Sequence, residues 1–78
     1  MSNLNYNYDS QNDVLYLSLG APKPSYGEDL FDGIIARYDM ATDELTGITV
    51  LDFKRRVASN DPHLSDIPLE FDYGGVLA

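Results

Sequence analysis

The stretch that decides the fold is residues 4–19, LNYNYDSQNDVLYLSL. Leu4, Tyr6 and Tyr8 alternate with asparagine, which is the period-two pattern of a half-buried strand. The polar run DSQND that follows is rich in residues that form turns. Residues 14–19, VLYLSL, then place three leucines on one face of a second strand. Two strands joined by a short polar turn predict a β-hairpin.

A second hairpin is predicted further along the chain. The stretch before it is rich in Pro and Gly and cannot continue a central strand, because proline lacks a backbone N–H. The apolar pattern of the last strand loses its period of two at Gly47, so we expect a β-bulge there. The predicted elements are a loop at 20–27, a strand lead-in at 28–32, a third strand at 33–38, a polar turn at 39–44 and a fourth strand at 45–51.

The segment after the fourth strand has helical features. Asp52 stands where an N-cap is expected, and Phe53 and Val57 are spaced i, i+4. The basic residues that follow Phe53 suit the C-terminal end of a helix. We therefore expect a short helix at this point.

Residues 58–78 are predicted to be a C-terminal extension of a domain at residues 1–57. Ile67, Leu69 and Phe71 alternate with polar residues, but Pro68 restricts this segment to an edge strand or to an arm on a partner chain. The fold class is therefore mainly β, an antiparallel four-stranded meander with a short helix and a C-terminal edge strand. The helix makes α+β the alternative description.

The length of 78 residues allows one domain with a small core. A chain of this size buries only about 60% of the surface that it exposes when unfolded. It has no cysteine, so neither a disulfide nor a thiolate metal site can add stability. We expect a homodimer that buries more apolar surface. The absence of cysteine, of a signal-peptide pattern and of a transmembrane run favours a cytoplasmic location.

The charge is strongly acidic, with 5 Lys and Arg against 13 Asp and Glu, for a net charge of −8. Residues 1–36 and 57–78 each carry −4, whereas residues 37–56 are neutral overall. Nucleic acids and anionic membranes are excluded as expected partners, because binding to phosphates requires clustered cations. A protein partner remains, either a second copy or a small basic protein.

The basic cluster of Lys54, Arg55 and Arg56 is interpreted locally. Its cations complement the C-terminal end of the predicted helix and pair with the chain's own acids. A subunit contact and a nucleic-acid contact are the alternatives.

The first turn sequence, YDSQNDVL at 8–15, recurs thirty residues later as YDMATDEL at 38–45. One interpretation is that both are hairpin turns in which Asp caps backbone N–H groups. The other is a duplication of one hairpin. Neither turn is an EF-hand loop, because glycine is absent from position 6 and glutamate from position 12.

No catalytic constellation is recognisable, so we expect no enzyme and no cofactor. The sequence contains neither a Gly-rich phosphate loop nor a nucleophile elbow. The competing hypothesis is a small-molecule or metal-binding protein that uses Asp32, Asp52 and His63. It requires these three groups to converge within about 3 Å of a common point. Otherwise His63 is an ordinary loop residue.

The tyrosines are the remaining functional feature. Four of them fall on strands of one predicted sheet, and tyrosine is common at protein interfaces. They form either an association surface or a half-buried part of the core. Together with the apolar residues of the extension, the candidate interaction surface comprises Tyr6, Tyr8, Tyr16, Tyr38, Ile67, Leu69 and Phe71.

Three motifs occur in order: YDSQNDVLYLSL at 8–19, DGIIARYD at 32–39 and LTGITVLDFKR at 45–55. Together they resemble the small prokaryotic family of domain of unknown function 2283. The resemblance covers about residues 4–57. It implies a compact antiparallel sheet with a short helix and no established activity. Members are often encoded beside small toxin-like proteins, which implies an antitoxin-like or immunity-type role. Phe53 departs from the family pattern, and the extension lies beyond it.

The leading functional hypothesis is thus a non-enzymatic interaction module that forms a homodimer. A specific form of it is an antitoxin-like protein whose acidic surface covers a small basic partner.

Overall fold

The computed structural model describes residues 4–21 and 23–77. Predictions for Asn3 in the first strand, Pro22 in the loop and Ala78 at the chain end lie outside the described residues. Within these residues the chain forms β1 (Leu4–Asp9), β2 (Val14–Leu19), β3 (Ser25–Phe31), β4 (Ile34–Asp39), β5 (Leu45–Leu51), α1 (Phe53–Ala58) and two 3₁₀ turns, Pro62–Asp66 and Gly74–Leu77. The mainly β, antiparallel class is confirmed.

The strand order is β1-β2-β5-β4-β3, and each neighbouring pair is antiparallel. The four predicted strands therefore do not form a simple meander. Instead, the second strands of the two predicted hairpins pair with each other at the centre of the sheet, with Leu15 opposite Val50 and Leu17 opposite Ile48. This pairing is favourable because it places the most apolar strands where both neighbours cover them.

A strand that the sequence did not predict, β3, occupies the edge beside β4. It spans residues assigned to the loop and to the strand lead-in. An edge strand needs backbone hydrogen bonds on one side only, so it tolerates Gly27 and the charged Glu28 and Asp29 in positions that a central strand would not. Pro24 lies immediately before its first residue.

The predicted β-bulge in β5 is confirmed. Arg37 of β4 pairs with Gly47, but the next residue, Tyr38, pairs with Leu45, so Thr46 is the extra residue. The Thr46 hydroxyl donates a 3.1 Å hydrogen bond to the Arg37 carbonyl and thereby stabilises the irregular ladder. The bulge restores the alternation that brings Ile48 to the core face.

The core lies on one face of the sheet. Its fully buried large side chains are Phe53, Leu15, Leu17, Ile34, Ile48 and Val50. Phe53, the first residue of α1, is 0% exposed, so the short helix is held to the sheet by an aromatic ring. None of the helices in the described residues has the length and apolar character needed to cross a bilayer.

The helix is capped differently from the prediction. Asp52 adopts a left-handed backbone conformation (φ 53°) and its side chain caps no N–H. The cap comes from Asp13, whose carboxylate accepts a 2.8 Å hydrogen bond from the Lys54 N–H. The Asp52 carboxylate instead accepts a 3.1 Å hydrogen bond from the Arg55 guanidinium.

The extension forms no strand between residues 67 and 73, so the predicted C-terminal edge strand is wrong. Pro62 starts a 3₁₀ turn whose preceding residue, Asp61, accepts a 3.0 Å hydrogen bond from the His63 N–H. Further along, local backbone bonds such as Tyr73 N–H to the Phe71 carbonyl (3.0 Å) keep the chain coiled. Val76 and Leu77, in the second 3₁₀ turn, pack against the core.

Candidate functional site

The sheet has a covered face and an open face. Helix α1 and the extension pack on the covered face, where the core residues lie. Side chains alternate along each strand, so the intervening residues of the three central strands point the other way. The open face is defined by Val14, Tyr16 and Ser18 of β2, Gly47, Thr49 and Leu51 of β5, and Ile35 and Arg37 of β4.

A row of three side chains crosses the middle of the open face. Tyr16 is in register with Thr49, which is in register with Ile35. Tyr16 and Leu51 each keep 38% of their surface exposed, although both are large apolar side chains on central strands. Central strands of small sheets are normally covered by a second layer, so this row can receive another protein surface.

Arg37 is the charged member of the open face. Its guanidinium lies over Gly47, where a Cβ atom would collide with it and would lie 2.5 Å from the Leu17 carbonyl oxygen. Its Nη2 donates a 3.3 Å hydrogen bond to that carbonyl, whereas its buried Nε has no partner among the described residues. The glycine therefore makes room for the arginine, and the arginine keeps a donor at the centre of the face.

The predicted tyrosine set is divided between the two faces. Tyr6 and Tyr8 are in register with Leu17 and Leu15 and so lie on the covered face, and Tyr38 packs against the core. Tyr16 is the member that lies on the open face. Tyr6 nevertheless remains 55% exposed, at the margin of the covered face.

The apolar residues of the extension pack on the sheet of their own chain. Ile67 is 6% exposed, and Leu69 and Phe71 pack against the core. The Phe71 ring meets the Tyr6 ring edge-on at a centroid distance of 5.4 Å. Phe71 also contacts Tyr73 at 5.1 Å, so an aromatic cluster covers the end of β1. This segment therefore supplies the layer over the covered face.

Asp13 connects the first hairpin to the helix. Its Oδ1 accepts a 2.6 Å hydrogen bond from the Tyr8 hydroxyl in addition to the one from the Lys54 N–H. Its backbone carbonyl accepts from the Phe53 N–H at 3.1 Å. Partial burial alone would raise the pKa of the Asp13 carboxyl, but the hydrogen bonds from Tyr8, Lys54 and Arg55 outweigh it, so the pKa lies below its ordinary value.

The two repeated turns share their backbone chemistry. Asp13 and Asp43 both adopt positive φ, 56° and 60°. At the start of each turn an aspartate caps backbone N–H groups, Asp9 with Asn12 at 3.2 Å and Asp39 with Ala41 at 2.8 Å. The interpretation as Asp-capped hairpin turns is confirmed. The turns differ in function, because Asp43 accepts from a tyrosine of the neighbouring edge strand and caps no helix.

A family model described as "Protein of unknown function (DUF2283)" matches residues 5–54. The chain belongs to this family. Neither a curated protein nor a solved structure matches the chain. The match runs from the second residue of β1 to the start of α1, so the DUF2283 region contains the sheet except Leu4, together with the Asp13 cap.

Two residues of the basic cluster of this DUF2283 protein, Arg55 and Arg56, pair with acids of the same chain, as expected. Arg55 pairs with Asp52 at 3.1 Å in an exposed ion pair. Arg56 is only 11% exposed in its side chain and pairs with Asp61 at 2.7 Å. Its Nε donates to the Leu51 carbonyl at 2.7 Å, and its Nη2 donates to the Asp32 carbonyl at 2.6 Å. Arg56 therefore joins the end of β5, the β3–β4 turn and the chain after α1.

The three candidate ligands Asp32, Asp52 and His63 have separate surroundings. Asp52 pairs with Arg55, whereas His63 stacks on Phe31 at a ring distance of 4.3 Å and lies 3.4 Å from an Asp61 oxygen. Across residues 4–21 and 23–77, no group of three His, Cys, Asp or Glu side chains is placed to hold a metal ion. The hypothesis of a small-molecule or metal site requires Asp32, Asp52 and His63 to meet at a common point, and the described residues show no such cluster.

Sequence reasoning included Tyr16 in a candidate association surface but missed the other residues of the open face and the packing of Arg37 on Gly47. Part of the evidence was in the sequence, because the predicted bulge at Gly47 indicated a glycine without a core role in the fourth predicted strand. Recognising the arginine beside it required the register between β4 and β5, which no single strand pattern contains.

Proposed function

We propose that this DUF2283 protein is a non-enzymatic protein-interaction module that forms a homodimer through its open face. The observation that carries the proposal is the row of Tyr16, Thr49 and Ile35, which crosses the central strands without a covering layer from the described residues. Burying exposed aromatic and aliphatic side chains is the main favourable contribution to association. We propose a cytoplasmic location for this module, because its sequence contains no cysteine.

The distribution of charge supports a second copy as the partner. The chain contains 13 acidic residues, yet none of them is among the eight that define the open face. Asp9, in register with Val14, and Asp29, in register with Ile35, lie on the edge strands of the same face, so two copies keep their acids apart only at the centre of the face.

The size of the face sets the expected strength of the dimer. Together with the edge strands β1 and β3, this side of the sheet comprises five strands about 4.8 Å apart and about six residues long, which give an area of roughly 400 Å². A standard interface buries about 800 Å² on each partner. We therefore expect a reversible dimer with a dissociation constant in the micromolar range.

Analytical ultracentrifugation over a concentration series tests the dimer. The wild type should shift from monomer to dimer, and Tyr16→Glu should remain monomeric, because it places a carboxylate in the middle of the face. Met40→Glu is the matched control, since Met40 is 66% exposed in the β4–β5 turn. A wild type that stays monomeric at about 1 mM, or a Met40→Glu that weakens association equally, contradicts the proposal.

A small basic protein is the second candidate partner, in an antitoxin-like role. Three of the five cations pair with acids of the same chain; they are Lys23, Arg55 and Arg56. The remaining two cations stand against ten acids, so the unpaired charge is strongly negative. Such a surface steers a basic partner into contact. Co-purification with the product of the neighbouring gene at low salt tests this role. Recovery of the DUF2283 protein alone contradicts it.

A further inference from the structure

A groove of about 610 Å³ lies between α1 and the extension. Its lining comes entirely from residues 57–74, so it belongs to the part of the chain beyond the family match and is separate from the open face. Ile67 and Tyr73 form the buried floor, and Leu64, Leu69 and Phe71 are half-exposed along the walls. The groove therefore offers apolar contact surface that its own chain leaves partly unused.

The charged groups of the groove are all negative. Asp61 and Glu70 line it, and residues 57–78 contain four acids and neither Lys nor Arg. Asp61 is already engaged by Arg56 at 2.7 Å and by the His63 N–H at 3.0 Å, whereas Glu70 is exposed. The groove thus combines an apolar interior with an accessible carboxylate in a strongly acidic surrounding.

We propose that this groove binds a segment of a partner protein in which a large apolar side chain stands next to Lys or Arg. The apolar side chain occupies the space over Ile67 and Tyr73, and the cation pairs with Glu70. An apolar interior alone would accept any apolar segment, but the negative charge selects a cationic one. A second copy of this chain is disfavoured, because its 5 cations are outnumbered by 13 acids and it would bring mainly negative charge to the groove.

Fluorescence anisotropy with labelled synthetic peptides tests the proposal on the full chain. The probe is a peptide of alternating lysine and leucine. One comparison peptide replaces leucine with serine, and another replaces lysine with glutamate. At about 150 mM salt, where long-range attraction is screened, we expect the first peptide to bind at least tenfold more tightly than either of the others. Equal binding of the lysine–serine peptide would show attraction to net charge only and would overturn the proposal.

Two charge-matched variants locate the binding. Glu70→Lys should weaken binding of the lysine–leucine peptide about fivefold. Glu44→Lys makes the same change in charge in the β4–β5 turn and should leave binding within about twofold of wild type. Leu64→Ser, which removes an apolar wall, should weaken binding about tenfold. Equal losses in Glu70→Lys and Glu44→Lys would assign binding to the overall charge and contradict a site in the groove.

Amide chemical-shift mapping of the labelled protein gives an independent readout. The peptide should shift resonances of residues 57–74. Shifts confined to the open face around Tyr16 would contradict peptide binding in the groove. They would not decide whether the protein dimerises, which ultracentrifugation measures separately.

Discussion

Asp13 caps helix α1 by accepting a hydrogen bond from the N–H of Lys54, which lies 41 residues later in the chain, at 2.8 Å. The turn of the first hairpin and the helix are therefore stabilised together, although the four strands β2 to β5 separate them in sequence. Because the same Oδ1 also accepts from the Tyr8 hydroxyl at 2.6 Å, the turn, the edge strand β1 and the helix start meet at one carboxylate. The family match includes every part of this arrangement.

Asp13→Ala should destabilise the protein more than Asp43→Ala does. Both residues adopt positive φ, so alanine introduces a similar backbone strain at each position. Only Asp13 also caps α1, and loss of a helix cap costs about 1–2 kcal/mol. Urea denaturation should therefore give a free energy of unfolding about 1–2 kcal/mol lower for Asp13→Ala than for Asp43→Ala. Equal losses would show that the cap contributes little.

The Asp13 carboxyl should also give the protein acid-sensitive stability. Its pKa in the folded state lies below its value in the unfolded chain, so its contribution is full above about pH 4 and is lost as pH falls through the folded-state pKa. Asp13→Asn tolerates the left-handed backbone but does not titrate.

Urea midpoints measured between about pH 6 and pH 2 test this behaviour. The midpoint of the wild type should fall more steeply than that of Asp13→Asn. Asp9 and Asp61, whose pKa values are also lowered by hydrogen bonds from Asn12 and from His63, remain in both proteins and cancel in the comparison. Parallel curves for the two proteins would contradict the assignment.

Arg56→Lys should be strongly destabilising, whereas Arg55→Lys should not. The Arg56 guanidinium reaches two backbone carbonyls and Asp61 at once, and a lysine amine cannot span these three acceptors. With the side chain only 11% exposed, we expect a loss of about 3 kcal/mol. Arg55 has a side chain that is 76% exposed, so its substitution should change stability by less than about 0.5 kcal/mol. Thermal unfolding followed by circular dichroism measures both, and similar losses would contradict the role given to Arg56.

The strands with strong alternation could be predicted from the sequence, because their pattern depends on neighbours along the chain. The hairpin of β1 and β2 and the bulge at Gly47 are examples. The edge strand β3 could not be found in this way, since its polar residues and Gly27 give no apolar period, and its existence depends on the exposed ladder of β4.

The candidate site shows a similar division. The tyrosines were correctly expected on strands, but their distribution between two faces depends on the pairing of β2 with β5. In the extension, alternation at Ile67, Leu69 and Phe71 suggested a strand, whereas Pro68 and the local hydrogen bonds around Tyr73 favour a coiled path. Alternation in a short segment therefore indicated which residues are buried more reliably than it indicated their backbone conformation.

Tyr73 should make the protein sensitive to alkaline pH. Burial raises the pKa of Tyr73 to about 12, and its side chain belongs to the core, with the hydroxyl donating to the Leu69 carbonyl at 3.2 Å. Because the folded-state pKa is higher than the unfolded value of about 10, the contribution of the neutral phenol is full below about pH 10 and is lost as pH rises through about 12.

Tyr73→Phe tests this contribution because it keeps the ring and removes the titrating group. At neutral pH the variant should lose about 1 kcal/mol for the missing hydrogen bond. Above about pH 10 its stability should fall less steeply than that of the wild type, as measured by urea denaturation followed by far-ultraviolet circular dichroism. Tyr16→Phe, on the open face, is the matched control and should follow the wild-type curve. If Tyr73→Phe loses stability over the same pH range and with the same slope as the wild type, the predicted role of Tyr73 is contradicted. Ionisation of the buried phenol would then not be the cause of the alkaline loss of stability.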